Sequence, residues 1–425
     1  MTYHNAVKYL LLAPEALGEV QFGTRLRRLW QLLGNPQNSL NFLRLAGSSG
    51  KTVCAQMLLS AFATSDFCVG CLIMPLGNDP RENIRIGKQA LPFDEMAHYV
   101  EQIYSAVKTA NKELHVTADE QTPSTDVEPL SPTRHEILLS AALLAFQAHH
   151  CHLCIIESNH LTNDPTKILP APLATAVCGT IPKRNGKDMQ QIRSYISHGI
   201  QEVVSAPQDQ EAYQMLSRAC AAINCRLTIP MRTELQILRS TLSGSDFLYR
   251  NQPYHLGLCG NFQITNAMVT LEILHMLSRH GYALTEEQIA HGLRSVKIPC
   301  KFEVLSVSPT IIADSTHSKD AIETVCHSLT DFRPILGNKL WLCLSDQDLA
   351  MHYLQTTKEQ GYEIEKIILQ SNTDASADPM IITHTVKDTV RYCLTDLPSD
   401  TILLISGTQN FTSQIRYELL KKLGF

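Results

Sequence analysis

The sequence predicts an α/β protein whose main sheet is largely parallel, followed by a second, smaller α/β domain. Apolar runs of strand length alternate with helical patterns along most of the 425 residues, which is typical of a parallel sheet covered by helices. A glycine-rich turn follows the first clear strand pattern. The alternation restarts near residue 300, after a proline-containing segment, and this restart predicts the second domain.

The elements of the first domain are predicted from apolar runs bounded by polar or turn-forming residues. Strands are predicted at 40–46, 67–74, 153–157, 174–180, 202–206 and 225–229. Helices are predicted at 52–64, 92–110, 134–150, 263–279 and 286–293. The segment 111–132 is polar and rich in Thr, Asp, Glu and Pro, which predicts a surface loop.

The segment 296–301, which contains Pro299, is the predicted linker between the domains. Beyond it, strands are predicted at 311–314, 340–344, 366–370 and 401–406, with helices between them and a final helix after the last strand. We therefore place an N-terminal and central domain at 1–297 and a C-terminal, Rossmann-like α/β domain at 298–425.

The composition limits the class of partner. Hydrophobic residues make up 44% of the chain and the net charge is −5, so no basic balance indicates nucleic acid. No stretch approaches the ~20 apolar residues of a membrane span, and the N-terminus lacks a signal-peptide pattern. The 13 cysteines, an odd number without a signal, predict reduced thiols and a cytoplasmic location.

Two cysteine pairs have the spacing of zinc ligands. They are Cys68-x-x-Cys71 and Cys151-x-x-Cys154, the second flanked by histidines. Both pairs fall in strand-like runs, and residues three apart on a strand point to opposite faces of the sheet. This geometry favours core cysteines over a metal site.

The glycine-rich turn reads Gly47-Ser48-Ser49-Gly50-Lys51-Thr52, between a predicted strand and a predicted helix. In that arrangement backbone N–H groups wrap a polyphosphate, Lys51 neutralises the β- and γ-phosphates, and the Thr52 hydroxyl binds Mg²⁺. The loop is two residues shorter between its glycines than the Walker form. The alternative is a glycine turn with a surface lysine, but the preceding strand favours a P-loop ATPase domain.

The shortened loop resembles the G-T-N-G-K-[GST] loop of the Mur ligase superfamily. Seven further segments, in the same order along nearly the whole chain, resemble the folylpolyglutamate and dihydrofolate synthases of that superfamily. They are Phe22-Gly23-x-Arg25, Leu33-Gly34-Asn35-Pro36-Gln37, Met74-Pro75 with Glu82-Asn83-Ile84-Arg85-Ile86, Pro132-Thr133-Arg134-His135-Glu136, Gly260-Asn261-Phe262-Gln263-x-x-Asn266-Ala267, Pro299-Cys300-Lys301-Phe302-Glu303 and Asp314-Ser315-Thr316-His317-Ser318.

The resemblance implies an ATP-dependent carboxylate–amine ligase that uses Mg²⁺. In such an enzyme ATP phosphorylates a carboxylate of a folate, the amine of L-glutamate attacks the acyl phosphate, and phosphate leaves. This chemistry requires phosphate clamps and orientation more than a protein nucleophile. The family also implies small-molecule substrates and a monomer.

The resemblance assigns roles to residues outside the loop. Glu157 matches the Mg²⁺-binding glutamate of the family, although a charged residue there is also what a strand leaving the core would show. Asn266 matches an asparagine that contacts adenine, with helix capping as the alternative. Asp314 and His317 match a nucleotide-contacting pair.

Lys301 takes the place of an arginine on the nucleotide phosphates, which keeps the charge and loses the bidentate fork. We therefore predict Lys51, Glu157 and His317 as catalytic groups and Thr52 and Glu157 as metal ligands. The predicted nucleotide contacts are the loop residues Gly47, Ser48, Ser49, Gly50, Lys51 and Thr52, together with Asn266, Lys301 and Asp314.

The chain departs from the family on the metal and acceptor side. Met74 stands where the family has serine, and a thioether is a poor ligand for Mg²⁺. The glycine-rich segment after the glutamate is replaced at 158–163, and the segment with a metal-binding histidine corresponds at best to 181–185. The lysine that relatives carbamylate is missing from 195–199, for which Glu136 and His160 are candidate substitutes.

Three functions remain open. The first is a divergent folylpolyglutamate synthase, with or without dihydrofolate synthase activity. The second is the same activation chemistry on a different carboxylate acceptor, and the third is a nucleotide-binding paralogue without ligase activity. The departures favour the second or third, whereas the loop, Glu157, Asn266 and Asp314 favour an active ATP user.

Overall fold

The computed structural model describes residues 1–15, 22–74, 79–117, 129–158, 164–181, 194–196, 199–315, 319–370, 380–383, 385–395 and 397–423. The chain forms two compact units. The first comprises Met1–Pro230 and Val269–Gly292, and the second comprises Met231–Met268 and Leu293–Phe425. The chain passes from the first unit to the second for the last time between Gly292 and Leu293. The domain boundary predicted between residues 297 and 298 lies a few residues further on and stays a prediction.

The helices of the described residues are numbered in chain order. They are α1 Tyr3–Leu12, α2 Phe22–Leu32, α3 Lys51–Phe62, α4 Phe93–Thr117, α5 Arg134–Ala148, α6 Gln210–Ala222, α7 Asn261–Arg279, α8 Glu286–Ser295, α9 Lys319–Leu336, α10 Gln347–Glu359, α11 Val386–Leu394 and α12 Gln409–Leu423. Short 3₁₀ turns lie at Pro36–Ser39, Pro80–Asn83, Pro165–Ile168 and Arg232–Glu234.

The strands form three sheets. They are β1 Phe42–Gly47, β2 Val69–Leu72, β3 Ile84–Ile86, β4 Gln89–Ala90, β5 Leu153–Glu157, β6 Ala174–Cys178, β7 Glu202–Ser205, β8 Arg226–Thr228, β9 Leu235–Thr241, β10 Gly244–Tyr249, β11 Gln252–Leu256, β12 Glu303–Val307, β13 Thr310–Asp314, β14 Lys339–Leu344, β15 Glu363–Gln370, β16 Met380–Thr383 and β17 Thr401–Ser406.

The first unit is built on an eight-stranded sheet in the order β4-β3-β2-β5-β1-β6-β7-β8. Strands β2, β5, β1, β6, β7 and β8 run parallel, and β3 and β4 form an antiparallel edge. Every residue of β1, β5 and β6 is buried, as expected for central strands covered on both faces. Parallel pairing brings the carboxyl ends of β1, β5 and β6 to one edge of the sheet.

Helix α5 shows how local sequence sets an element of this unit. Thr133 accepts a hydrogen bond from the backbone N–H of Glu136, and the Glu136 carboxylate accepts one from the N–H of Thr133, which forms a capping box. The helix then carries a continuous run of buried residues from Glu136 to Phe146. Their apolar side chains pack in a core with residues of α1, α2 and α4, so α5 is a central helix of the unit.

The second unit holds a three-stranded antiparallel sheet, β11-β10-β9, and a six-stranded sheet in the order β12-β13-β17-β14-β15-β16. In the larger sheet β12 is antiparallel to β13 and the other pairs are parallel. Apolar side chains of its strands separate into two core clusters, one centred on Leu342 and Leu404 and one on Cys343 and Leu403. Alternate residues of adjacent strands therefore face opposite sides of the sheet.

The predicted fold class is confirmed, and most predicted strands lie within a few residues of their observed positions. The strand predicted at 67–74 is shorter than expected, because β2 is Val69–Leu72. The antiparallel sheet β9–β11 was not predicted. In the turn between β10 and β11, Arg250 and Asn251 have φ values of 50° and 63°. Two left-handed residues are typical of a tight hairpin turn. The turn lacks the Asn-Gly sequence that usually indicates such a hairpin.

Contrary to the prediction from the sequence, the two cysteine pairs do not each lie on a single strand. Cys68 precedes β2 and Cys151 precedes β5, so neither pair lies on one strand. Within the described ranges, no group of three or more His, Cys, Asp or Glu side chains is arranged to hold a metal ion. No helix in the same ranges is long and apolar enough to cross a membrane.

Candidate nucleotide-binding site

The glycine-rich loop connects the carboxyl end of β1 to the first residue of α3, as the sequence predicts. Gly47 has a φ of +112°, and a Cβ atom there would lie 2.0 Å from the carbonyl oxygen of Cys178. Gly50 caps α3 with a φ of +81°. Glycine is therefore required at Gly47 by lack of space and is favoured at both positions by backbone conformation.

A second segment, at the end of β6, supports the loop. The Ser48 hydroxyl donates a hydrogen bond to the carbonyl oxygen of Thr180 at 2.6 Å. Gly179 has a φ of +70°, and a Cβ there would lie 2.5 Å from the Ser49 hydroxyl oxygen. The close contact of Gly179 and Thr180 with the loop was not foreseen from the sequence, which offers Gly179 as its only signal.

Lys51, Thr52 and Glu157 lie together at the carboxyl edge of the sheet. Parallel pairing of β1 and β5 aligns Leu45 with Glu157, so the last residue of β5 reaches the start of α3. The Thr52 hydroxyl donates a hydrogen bond to Glu157 Oε2 at 3.0 Å, and Lys51 Nζ lies 3.9 Å from Glu157 Oε1. The structure thus places three predicted site residues in mutual contact.

The charges of this group are largely withdrawn from solvent. Lys51 is 8% exposed and Glu157 is 3% exposed. Lys51 Nζ also donates to the carbonyl oxygen of Gly47 at 2.8 Å, so the ammonium lies over the loop. Buried opposite charges interact more strongly than surface ones because little solvent screens them.

Met74 contributes its backbone to the same group, and its side chain belongs to the core. The Met74 N–H donates to Glu157 Oε2 at 3.4 Å. The side chain is 4% exposed and packs in the apolar cluster of the first unit. Glu157 is therefore held from three directions, by a hydroxyl, an ammonium and a backbone amide.

Thr52 and Glu157 fit the requirements of a Mg²⁺ site that is completed by other oxygens. The ion prefers oxygen ligands and commonly takes one or two from protein, with water and substrate phosphates supplying the rest. One carboxylate and one hydroxyl lie beside a phosphate-type loop here. This donor set suits a metal that arrives with a nucleotide.

The segment after Glu157 is held by a buried polar network. The Ser158 hydroxyl donates to Asp164 Oδ2 at 2.5 Å and contacts the Thr166 hydroxyl at 2.6 Å. Arg44, on β1, donates to the carbonyl oxygen of Thr166 at 3.0 Å. Burial lowers the pKa of the Arg44 guanidinium, and Asp164 partly opposes that shift. No motif in the sequence indicates this network.

A thiol pair lies directly behind the loop. Cys178 ends β6 opposite Gly47, and its pKa is raised chiefly by a hydrogen bond with Cys54 of α3, then by burial. Lys51 opposes that shift, whereas Glu157 reinforces it. The raised pKa keeps the Cys178 thiol protonated at neutral pH.

Glu136, a candidate substitute for the missing lysine, is fully used in packing. It is 0% exposed, and Arg25 donates to both of its oxygens, at 2.8 and 3.3 Å. One oxygen also accepts the capping hydrogen bond from Thr133. The oxygens of Glu136 thus hold α2 and α5 together, and the suggestion that Glu136 replaces a metal ligand stays a prediction.

Three predicted nucleotide contacts lie in the second unit. Asn266 is in the second turn of α7, which begins at Asn261, so the capping alternative is wrong. Its side-chain amide donates to Gln263 Oε1 at 2.9 Å. Gln263 was not singled out from the sequence, although it lies in the matched segment Gly260–Ala267.

Asp314 and Lys301 are close neighbours in the same unit. Asp314 ends β13 and is 3% exposed, and its Oδ2 accepts a hydrogen bond from the backbone N–H of Phe302 at 2.7 Å. The N–H of Ser315 donates to the carbonyl oxygen of Cys300 at 2.8 Å. These two bonds place the 300–302 turn, with the half-buried Lys301, beside the end of β13.

Some predicted residues lie outside the described part of the chain. His317 and His160 are two of them. Within 195–199, Tyr195, Ile196 and Gly199 are described, and the first two are buried. The roles assigned to His317 and His160 therefore stay predictions.

A short glycine loop joins a strand to a helix here, and a carboxylate lies on the adjacent parallel strand. This is the arrangement of a phosphate-binding loop. No known family model matches the chain. The chain is 22% identical over 407 residues to a probable bifunctional folylpolyglutamate synthase/dihydropteroate synthase of Halobacterium salinarum. The match covers 88% of this chain and 47% of that protein. The chain thus spans less than half the length of this relative, and only 39% of its counterpart in Haloferax volcanii.

Relatives of similar length extend the match over the whole chain. The chain is 22% identical to the dihydrofolate synthase/folylpolyglutamate synthase of Bacillus subtilis, with 95% of this chain and 97% of that protein covered. The folylpolyglutamate synthetase structure from Lactobacillus casei superposes with a TM-score of 0.78, at 18% identity over 99% of this chain and all of that one. A complex of folylpolyglutamate synthase with AMPPCP and folate superposes with a TM-score of 0.80 at 19% identity, over 99% of this chain and 100% of that one.

A Mur ligase is also among the relatives. A UDP-N-acetylmuramoyl-L-alanyl-D-glutamate–2,6-diaminopimelate ligase of Alkaliphilus oremlandii is 26% identical over 161 residues, 36% of this chain and 32% of that protein. The resemblance predicted from the sequence is confirmed. Along nearly its whole length the chain is similar in sequence to folylpolyglutamate and dihydrofolate synthases, and it has the fold of their solved structures.

Proposed function

We propose that this chain is an ATP-dependent ligase that joins a carboxylate of a folate-like acceptor to the amine of L-glutamate through an acyl phosphate. The observation that carries the proposal is the contact of Lys51 and Thr52 with Glu157 at the end of the glycine loop. A phosphate loop alone indicates a nucleotide. The added carboxylate, together with homology to ligases of this type, favours phosphoryl transfer to a carboxylate.

The loop and Lys51 bind the polyphosphate. Backbone N–H groups at the start of α3 point toward the loop, and the helix dipole favours negative charge there. The Lys51 ammonium lies over the loop at its contact with the Gly47 carbonyl, where it offsets charge on the transferred phosphoryl group. Mg²⁺, held by Thr52 and Glu157, would supply further neutralisation of that charge.

The reaction then needs correct placement of three reactants. The acceptor carboxylate takes the terminal phosphoryl group of ATP, and ADP is released. The glutamate amine attacks the acyl carbon, an amide bond forms, and inorganic phosphate leaves with the bonding electrons. Since no protein nucleophile takes part, positioning and electrostatic stabilisation carry the rate enhancement.

Four further residues are proposed nucleotide contacts because they match motifs of the relatives. Asn266 is assigned to the base, and its 2.9 Å hydrogen bond to Gln263 orients the Asn266 amide. Asp314, His317 and Lys301 keep the nucleotide-contacting roles that the resemblance implies. We further propose that the protein acts as a cytoplasmic monomer on small molecules.

A specific observation favours a second candidate, the same activation chemistry on a different carboxylate acceptor. Met74 occupies the family's serine position with its side chain in the core, and residues 195–199 contain no lysine. These departures from the family lie on the metal and acceptor side and support a changed acceptor. A nucleotide-binding paralogue without ligase activity is the third outcome of the test.

The test measures phosphate release and product mass with Mg-ATP, L-glutamate and a set of reduced folates and dihydropteroate. We expect a product heavier than the folate by one glutamate residue, and loss of turnover of at least about 100-fold in Lys51→Ala. Lys88→Ala, on an exposed lysine of the same unit, is the matched control. Tight ATP binding without turnover on any folate would reject the folate ligase and leave the other two candidates.

A further inference from the structure

Two cysteine thiols meet at the amino ends of neighbouring strands, on the opposite edge of the sheet from the phosphate loop. Cys68 directly precedes β2, and Cys151 lies in the turn between α5 and β5. Their sulfur atoms are 3.7 Å apart, although the residues are 83 positions apart in the chain. Neither residue has a part in the proposed ligase chemistry.

Hydrogen bonds between Cys68 and His152 hold the two thiols in this arrangement. The Cys68 N–H donates to His152 Nδ1 at 2.9 Å, and the His152 N–H donates to the Cys68 carbonyl oxygen at 2.8 Å. Parallel pairing of Val69 with Leu153 continues the same register. A disulfide requires the sulfur atoms to approach to about 2.0 Å, which side-chain rotation and a small backbone adjustment can supply.

The two thiols differ in accessibility. Of the 13 cysteines, Cys68 is half-buried and the other twelve are buried. Burial raises the pKa of the Cys151 thiol, and the neighbouring Cys154 and Cys68 add to that rise. Burial likewise raises the pKa of Cys154. An oxidant in solution therefore reaches Cys68 first. Cys151 lies next to it as a neutral thiol.

We propose that Cys68 and Cys151 are a peroxide-reactive pair that forms an intramolecular disulfide. The Cys68 thiolate attacks one oxygen of a hydroperoxide, the O–O bond breaks, and Cys68 becomes a sulfenic acid. The departing hydroxide or alkoxide takes up the proton that Cys68 lost to solvent and leaves as water or an alcohol. The Cys151 sulfur then attacks the Cys68 sulfur, its proton passes to the departing hydroxide, and water is released. One peroxide is reduced by two electrons, and two thiols are oxidised to one disulfide.

Position in the sheet separates this bond from the ligase site. The disulfide would connect the start of β2 to the turn before β5, whereas Glu157 lies at the far end of β5, about 13 Å along the strand. The bond would restrain the unfolded chain by closing a long loop. Oxidation should therefore raise the thermal midpoint and leave nucleotide binding unchanged.

Other thiol pairs in the protein lack a partly exposed member of the kind that the first step needs. Cys54 is hydrogen-bonded to Cys178, Cys225 to Cys220 and Cys393 to Cys343, and all six residues are buried. They provide an internal comparison. A reagent that opens the fold would oxidise these pairs too, whereas the proposed reaction selects Cys68 and Cys151.

The experiment treats the reduced, folded full chain with hydrogen peroxide, blocks remaining thiols with iodoacetamide, and maps peptides by mass spectrometry with and without reduction. We expect a linked peptide pair containing Cys68 and Cys151, a mass loss of about 2 Da, and a thermal midpoint several degrees higher, restored by dithiothreitol. Cys225→Ser, which removes one member of a buried pair, should behave as wild type.

Two variants test the order of events. Cys151→Ser should leave a Cys68 sulfenic acid that dimedone traps, and Cys68→Ser should leave Cys151 unmodified at the same peroxide dose. The thermal midpoint and circular dichroism of each reduced variant establish that it is folded. The proposal is wrong if Cys68 in the folded protein stays alkylatable after peroxide, or if it pairs with Cys154 or with a second chain.

Discussion

The Thr52 hydroxyl donates a 3.0 Å hydrogen bond to the Glu157 carboxylate, joining the first turn of α3 to the carboxyl end of β5. Both residues are predicted metal ligands, and they come from positions 105 residues apart. The contact follows from the sheet order, because β5 is the parallel neighbour of β1. It provides the most direct test of the proposed metal site.

Two substitutions at Thr52 distinguish the role of its hydroxyl from the role of its methyl group. Thr52→Val keeps the shape and removes the oxygen, so we expect Mg-ATP turnover to fall by about 10- to 100-fold. The Mg²⁺ concentration for half-maximal rate should rise as well. Thr52→Ser retains the hydroxyl and should stay within a few-fold of wild type. Equal activity of the valine and serine variants would exclude a metal role for Thr52.

Gly179 should be needed for the shape of the phosphate loop. With a φ of +70° and a Cβ position 2.5 Å from the Ser49 hydroxyl oxygen, Gly179→Ala must move the loop. We expect nucleotide affinity, measured by fluorescence titration, to fall by about tenfold or more. Gly87→Ala is the matched control, since its φ is +57° and nothing lies within 4 Å of its Cβ position. That control should cost only the left-handed strain, about 1–2 kcal/mol, with unchanged affinity.

Replacing Glu136 should lower the stability of the fold and leave the Mg²⁺ dependence of turnover unchanged. Glu136→Gln removes one charge of its buried pair with Arg25, and an uncompensated buried charge costs about 3–5 kcal/mol. The free energy of unfolding should fall by this order in denaturant titrations. The Mg²⁺ dependence of turnover by the folded fraction should match wild type. A selective rise in the Mg²⁺ requirement would support Glu136 as a metal ligand.

Glu202 should make the first unit sensitive to acid. Burial alone would raise the pKa of Glu202, but hydrogen bonding and charge from Arg279, with His280 and Arg226, bring it below its usual 4.5. Because the folded pKa is depressed, the stabilisation is present above the unfolded pKa and is lost as pH falls through the folded one. Glu202→Gln should therefore cost about 1–3 kcal/mol near pH 7, with the difference vanishing at low pH.

Thermal melts between pH 3 and 7 check this dependence. Glu287→Gln, at an exposed position of α8, serves as the control and should follow the wild-type curve. A constant difference between Glu202→Gln and wild type across the whole range would show that the carboxylate charge is not the source of the stabilisation.

Much of the fold could be predicted because the central strands are continuous apolar runs. The predicted strands 153–157 and 401–406 agree with β5 and β17 at both ends, since each is bounded by polar or turn-forming residues. The sheet β9–β11 could not be predicted in the same way. Its first strand is largely exposed, including Ile237 and Leu238, so no alternation of apolar and polar residues marks it.

The residues of the candidate site differ in the same way in how far the sequence predicts them. The loop from Gly47 to Thr52 could be found from the sequence because its glycines and lysine are contiguous. The brace from Gly179 and Thr180, the support of Asn266 by Gln263, and the use of Glu136 by Arg25 are contacts between separate segments. No local pattern encodes which side chain meets which.

The sequence by itself determined the mainly parallel α/β class, the short phosphate loop and the relationship to folylpolyglutamate synthases. Backbone conformation, hydrophobic periodicity and short motifs are local properties, and each is legible in consecutive residues. Only the tertiary structure decided that Glu157 reaches Thr52 and Lys51, that Met74 turns its side chain into the core, and that Cys68 meets Cys151. Strand order and register determine these contacts, and they arise from the packing of the whole sheet.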